Sequence, residues 1–133
     1  MTLQYSETIF EHFRHPRNYG ALPAPEVASE AVNALCGDRI RMALNVSADQ
    51  TITAVRFRGD SCIISRAAAS ILTELIQGHT LQEVVTLPQD VLLTALHMTI
   101  RPARVKCALL PLHAIQAGLA IYLRSYQTLG LSP

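Results

Sequence analysis

Polar and apolar residues alternate in two neighbouring stretches of the chain, 39–46 and 53–58. Apolar side chains such as Met42 and Phe57 occupy every second position, and four arginines are among the residues between them. This period of two predicts two half-buried strands, each with one face toward water. Residues 47–50 form a turn between them, which favours antiparallel pairing. We therefore predict a β-hairpin with one buried and one wet face.

The region before this hairpin predicts one helix and a loop. Apolar residues within 5–13 recur at helical spacing, and Pro16 should end the helix at or before His15. Residues 16–26 are rich in proline, glycine and asparagine and are interpreted as a loop.

The region after the hairpin predicts several helices. An apolar stripe over 67–76 indicates a helix, and Gly78 is placed to take the left-handed conformation just past its end. The segment 80–83 has the form of a capping box, and 88–97 is a further helical stretch. A last helix follows. Pro111 is tolerable in it only within the first turn, where the missing N–H is not needed.

Three cysteines, Cys36, Cys62 and Cys107, each fall where a regular element begins or ends. Thiolates are soft ligands that suit zinc, copper(I) and iron-sulfur clusters, and a carboxylate such as that of Asp38 can complete a tetrahedral set. Cys62 and Cys107 are also predicted at helix starts, which stabilise anionic sulfur, and Lys106 can add positive charge there. The alternative is that these are buried free cysteines, which are common in protein cores.

Composition narrows the other possibilities. The 133 residues fit one domain, and 11 Lys+Arg against 10 Asp+Glu give no overall attraction to nucleic acid or anionic lipid. No signal peptide is apparent, and apolar stretches are broken before the length of a membrane span. An odd number of cysteines argues against a disulfide framework, so a reducing, cytoplasmic setting is expected.

The five histidines show no metal-binding spacing, so each is interpreted as a surface or capping residue. The arginines between the apolar strand positions have two interpretations. A solvated sheet face is the simpler one, and a docking surface for an acidic partner is the sharper one. These arginines are Arg39, Arg41, Arg56 and Arg58.

Four stretches together resemble one family. They are residues 12–18 with Gly20, then 36–38, 57–70 and 103–108, and they cover nearly the whole chain in the family's order. In these stretches the chain resembles the U-type iron-sulfur cluster assembly proteins, namely IscU, the N-terminal domain of NifU, and SufU.

The resemblance implies an α+β fold, with a small antiparallel sheet covered by helices, in a single domain over 1–133. It also implies that Cys36, Asp38, Cys62 and Cys107 converge on one exposed site. That site would hold zinc, iron or a nascent 2Fe-2S cluster. Sulfur would arrive as persulfide from a cysteine desulfurase, and the cluster would pass to apo-proteins.

Three functions remain open within this family. The preferred one is a scaffold whose sulfur acceptor is Cys107, as the short interval from Cys62 to Cys107 favours. The alternative is a zinc-dependent sulfurtransferase of the SufU type whose acceptor is Cys36. Lys106 favours it, because SufU has lysine before the third cysteine whereas IscU has histidine. The third is an inactive relative with a structural zinc.

Three departures from the family pattern stand near the predicted site. Ser61 replaces a usual glycine, and Arg66 replaces a small or apolar residue and is interpreted as a solvated helix residue. The stretch 100–104 differs from the chaperone-recognition sequence of IscU, which places recruitment of a specialised Hsp70 in doubt.

Overall fold

A computed structural model describes residues 5–35 and 37–128, and within them the chain forms one sheet and five α-helices. The elements, in chain order, are α1 (Glu7–Arg14), β1 (Val27–Asn33), β2 (Asp38–Val46), β3 (Ile52–Arg58), α2 (Ile63–Ile76), α3 (Leu81–Val85), α4 (Gln89–Ala95), a 3-10 turn (Pro102–Arg104) and α5 (Val105–Thr128).

The three strands form an antiparallel sheet in the order β1, β2, β3. Met42 on β2 lies opposite Phe57 on β3, so the predicted hairpin is confirmed. The first strand was not predicted, because its sequence, VASEAVN, is dominated by small and polar residues and alternates weakly. It pairs with the other edge of β2 from Val27 to Asn33.

All the large helices cover one face of this sheet. Helix α5 packs on β1 and β2, α2 packs on β3, and α1 packs on α2. The apolar strand positions, Met42 and Phe57 among them, are buried beneath these helices. The predicted α+β fold is therefore confirmed, and the arginine-bearing face of the sheet points away from the helices.

The predicted helix boundaries near the hairpin are largely confirmed. Helix α1 ends at Arg14, as Pro16 requires, and Gly78 takes a φ of 88° just past α2. The capping box at Thr80 and Glu83 is present, with both reciprocal hydrogen bonds. Helix α4 is shorter than predicted, at Gln89–Ala95.

The prediction for Pro111 was wrong. Helix α5 begins at Val105, so Pro111 lies in the helix interior and Cys107 lies in the first turn. A proline in this position cannot donate the usual hydrogen bond to the carbonyl four residues earlier, which is that of Cys107. The chain solves this with a donor from another helix, as described below.

The segment Pro102–Tyr126 is long and apolar enough to cross a membrane by length and composition alone. Over half of its most apolar window, 56%, is buried inside the fold. Such burial is what the core helix of a globular domain shows, so the segment is only weak support for a membrane span.

Candidate metal centre

Three of the four predicted ligands come together at one end of the sheet. An oxygen of Asp38 and the sulfurs of Cys62 and Cys107 all lie within 4.8 Å of one another. Asp38 is the first residue of β2, Cys62 precedes α2, and Cys107 lies in the first turn of α5. The fourth, Cys36, lies outside the described residues, two positions before Asp38.

The backbone locks Cys62 in place. Cys62 is the N-cap of α2, and its sulfur accepts a hydrogen bond from the backbone N–H of Ser65, with 3.5 Å between the heavy atoms. The backbone N–H of Cys62 donates to Oδ1 of Asp38 at 2.9 Å. The carboxylate of Asp38 therefore holds Cys62, the residue that caps α2. The predicted position of Cys62, between a strand and the following helix, is confirmed.

Ser65 joins all three groups and was missed by the sequence reasoning. Its buried hydroxyl lies 2.7 Å from the carbonyl oxygen of Cys107 and 3.1 Å from Oδ2 of Asp38, and the thiol of Cys62 is 3.7 Å away. A hydroxyl has one hydrogen to donate, so the carbonyl and the carboxylate share it. The carbonyl of Cys107 is the one to which Pro111 cannot donate a hydrogen bond, and nothing in the local sequence points to Ser65 as the replacement donor.

A cation that the sequence analysis did not single out, Arg104, lies at the centre. The guanidinium of Arg104 hydrogen-bonds to the side chains of Cys107 and Cys62, and these contacts raise the pKa of Arg104. Arg104 precedes Cys107 by three residues, which places the two on one side of a helical turn, whereas the adjacent Lys106 is exposed. A fixed positive charge here favours an anionic occupant.

Arg66 is also not a simple solvated residue. Its guanidinium carbon lies 4.7 Å from the ring centroid of Tyr19 and 5.8 Å from that of Phe13. Arg66 therefore makes cation-π contacts with residues of α1 and the following loop.

The site is less exposed than predicted. Asp38 and Cys107 are 4% and 3% exposed, and Cys62 is half-buried. Burial follows from the packing, because the start of α5 and the buried Ser65 lie directly against Asp38. Reagents that reach Cys107 must therefore displace part of this packing.

Two further sequence observations have structural outcomes. The hydroxyl of Ser61, the residue that departs from the family pattern, is buried without a hydrogen-bond partner among the described residues. Among the described residues, no histidine joins the cluster of Asp38, Cys62 and Cys107. His97, for example, contacts the hydroxyl of Thr8 at 2.9 Å.

The donor set fits a soft metal ion. Two thiolate sulfurs and a carboxylate oxygen are typical zinc or iron ligands, and adjacent ligand atoms around a tetrahedral zinc ion are about 3.5 to 3.8 Å apart. The observed limit of 4.8 Å requires only small side-chain adjustments to reach that geometry. Three ligands leave a fourth position, which Cys36 is close enough in sequence to supply.

The NifU-like N terminal domain family model matches residues 4–128, nearly the whole chain. The chain belongs to this family. The predicted resemblance is thereby confirmed.

Relatives of this chain carry different descriptions. It is 31% identical over 123 residues to the iron-sulfur cluster assembly scaffold protein IscU of Azotobacter vinelandii, covering 90% of this chain and 94% of that protein. It is 30% identical over 133 residues to the zinc-dependent sulfurtransferase SufU of Bacillus subtilis, covering 87% and 89%. It is 32% identical over 122 residues to the bifunctional protein NifU/MnmA of Rubrobacter xylanophilus, covering 92% of this chain but a quarter of that protein's length, 25%.

The fold is also found in solved structures. A candidate iron-sulfur cluster assembly scaffold protein for the SUF system, from Fervidobacterium islandicum, superposes with a TM-score of 0.73 at 25% identity, covering 86% of this chain and 96% of the other. An N-terminal NifU-like protein from Brucella abortus, at 16% identity and a TM-score of 0.76, shares the fold over 90% of this chain and 94% of its own.

Proposed function

We propose that this protein is a scaffold for iron-sulfur cluster assembly. Cys36, Asp38, Cys62 and Cys107 would hold iron or a labile 2Fe-2S cluster as cargo, which then passes to apo-proteins. The observation that carries the proposal is the approach of three of these ligand atoms to within 4.8 Å of one another. The identity of 31% to an IscU scaffold supports it.

Sulfur would enter the site by thiol exchange. The thiolate of Cys107 attacks the outer sulfur of a persulfide on a cysteine desulfurase, the bond between the two desulfurase sulfurs breaks, and the desulfurase cysteine leaves as a thiolate. Cys107 then carries the persulfide. Because Cys107 is 3% exposed, this step requires local opening of the packing around it.

Metal analysis and the visible spectrum of protein purified without oxygen test the scaffold directly. We expect iron with the absorption of a 2Fe-2S cluster, and loss of that absorption in Cys62→Ser and Cys107→Ser. A Ser70→Ala variant should retain it, because Ser70 belongs to a different part of α2. Stoichiometric zinc without iron after reconstitution would refute the scaffold proposal.

Asp38 supplies a harder ligand than thiolate, which should keep the cluster exchangeable. We expect Asp38→Ala to give a longer-lived reconstituted cluster and slower transfer to an apo-ferredoxin, both followed by visible absorption or circular dichroism. Asp90→Ala, which removes an exposed carboxylate on α4, is the matched control. Faster cluster loss in Asp38→Ala would contradict this role.

A zinc-dependent sulfurtransferase of the SufU type is the second candidate. Lys106 and the 30% identity to a SufU protein favour it. Persulfide mapping by mass spectrometry, after brief incubation with a cysteine desulfurase and cysteine, separates the two. Persulfide on Cys107 with or without zinc supports the scaffold, whereas zinc-dependent persulfide on Cys36 supports the transferase. Absence of persulfide from every cysteine refutes both.

The expected setting is the reducing cytoplasm, because thiolate ligands must stay reduced. The partners we propose are a cysteine desulfurase and apo iron-sulfur proteins. Neither nucleic acid nor a membrane is a proposed partner, and the altered stretch 100–104 argues against a specialised Hsp70.

A further inference from the structure

The sheet presents an arginine face on the side away from the helices, formed by Arg39, Arg41, Arg56 and Arg58. The strand register puts Arg41 directly opposite Arg58 on the neighbouring strand. Like charges in directly opposed positions destabilise a sheet. Two open concavities, of about 210 and 370 Å³, are lined by these arginines.

The positive charge on this face is only partly compensated. Arg39 forms an ion pair with Glu30 at 2.8 Å, and Arg56 donates to the side chain of Asn18 at 3.3 Å and to a backbone carbonyl. Arg41 and Arg58 have no ion pair among the residues that the structure describes. Since the whole chain carries a net charge of only +1, the excess is local to this face.

The surroundings of the arginine face have the composition of a protein interface. Tyr19, 46% exposed, lines the larger concavity, and Val32, 49% exposed, lies opposite Arg39 on β1. Exposed aromatic and apolar side chains beside arginines resemble the centre of protein interfaces, and two carboxylates, Glu30 and Asp60, also line the larger concavity. A site for a small free anion would not need these apolar neighbours.

The arginine face reaches the edge of the metal centre. Arg39 follows Asp38 directly, and its backbone N–H donates to the carbonyl of Asp60 at 2.8 Å, two residues before Cys62. Arg41 lies three strand residues from Asp38, which is about 10 Å. A protein bound to this face therefore lies beside the ligands.

We propose that the arginine face docks a protein partner whose surface presents carboxylates. The partner's carboxylates would pair with Arg41 and Arg58, and its apolar contacts would cover Tyr19 and Val32. The proposed function supplies the identity of such a partner, a sulfur donor or a cluster recipient. The docking itself does not require the metal centre, so the two proposals can fail separately.

Binding of a peptide of six glutamates to the full-length protein tests the docking chemistry, with a peptide of six glutamines as the neutral probe. We expect NMR shifts on β2 and β3 with the glutamate peptide only, and weaker binding as salt rises from about 20 to 200 mM. The double variant Arg41→Gln/Arg58→Gln should bind about tenfold more weakly. Cys62→Ser, which removes a metal ligand, should bind the peptide like the wild type.

The matched control is Arg14→Gln/Arg124→Gln, which removes the same charge from helices α1 and α5. Its affinity should stay within about twofold of the wild type. Equal loss in both double variants would show a net-charge effect and overturn the proposal. Equally tight binding of glutarate, inorganic phosphate or a short oligothymidylate would overturn it in favour of a general anion site.

Cluster transfer to an apo-ferredoxin tests whether the arginine face acts in the proposed function. If the protein docks its recipient here, the arginine double variant should slow cluster transfer at low salt and leave cluster lifetime unchanged. Transfer that is unaffected by the double variant, together with unaffected binding of the desulfurase, would refute the docking role. Failure of the wild type to assemble any cluster would instead refute the proposed function and leave the peptide result standing.

Discussion

Ser65→Ala is the most informative substitution in this fold, because one buried hydroxyl serves a helix with an interior proline. The hydroxyl lies 2.7 Å from the carbonyl of Cys107, the carbonyl to which Pro111 has no N–H to offer. It also lies 3.1 Å from Oδ2 of Asp38. Alanine keeps the helix and loses both contacts.

The expected cost follows from these two contacts. A buried hydrogen bond contributes about 1 kcal/mol net, and one to a charged group about 1.5 to 3 kcal/mol. Since the single hydroxyl hydrogen is shared, we expect Ser65→Ala to lower the free energy of unfolding by about 2 to 3 kcal/mol. This is large for a side chain that loses a single oxygen atom.

Pro111→Ala isolates the carbonyl contribution. Alanine at this position has an N–H that can donate to the carbonyl of Cys107, so the hydroxyl of Ser65 becomes less important. Ser65→Ala should then cost about 1 kcal/mol less in the Pro111→Ala background than in the wild type. Urea unfolding of the metal-free, reduced protein, followed by circular dichroism, measures all four free energies.

Ser70→Ala is the matched control for this cycle. Ser70 is equally buried on the same helix, but its hydroxyl hydrogen-bonds to the imidazole of His12 and accepts from the backbone N–H of Arg17. Its cost should be the same in both backgrounds within about 0.5 kcal/mol. If Ser65→Ala also costs the same with and without Pro111, the hydroxyl does not replace the missing N–H and the reasoning is wrong.

Three further predictions concern other parts of the fold. A Cβ at Gly59, where φ is 149°, would lie 2.0 Å from the carbonyl oxygen of Arg39, so Gly59→Ala should cost about 3 kcal/mol or more in urea unfolding. Gly118→Ala should destabilise the fold by about 1 to 2 kcal/mol, because the added Cβ would lie 2.7 Å from the Cβ of Ser29. This packing cost outweighs the higher helix propensity of alanine, so a more stable variant would contradict it. Burial, with a smaller contribution from a nearby arginine, lowers the pKa of His12 below 6.5. The unfolded chain therefore takes up this proton first, and stability should fall as the pH drops from about 7 to 5. His12→Gln should show a shallower fall, and an identical pH dependence would count against the assignment.

The local sequence was sufficient for most of the regular elements. A period of two predicted β2 and β3, and Gly78 and the capping box at Thr80 marked helix boundaries, because these signals depend on a few neighbouring residues. Strand β1 was missed because its small residues, such as Ala28 and Ser29, carry little periodicity. It becomes a strand by pairing with β2 under Gly118 of α5.

The chemistry of the centre shows the same division. The sequence by itself determined the ligand types and their positions at the ends of elements, since strand and helix boundaries can be read locally. Only the tertiary structure decided that Asp38, Cys62 and Cys107 approach to within 4.8 Å, because their elements come from distant parts of the chain. It also brought the guanidinium of Arg104 to two of the cysteines, because the helix that starts just before Cys107 places Arg104 on the same side of the turn as Cys107.

Pro111 is the clearest case of a tertiary decision. By local rules an interior proline costs a helix about 3 kcal/mol, so the sequence favoured a later start for α5. In the folded protein the hydroxyl of Ser65, on a different helix, donates to the carbonyl that proline leaves without its usual donor. Hydrogen bonds between distant residues form only after the helices pack, so no local pattern could have placed Pro111 in the helix interior.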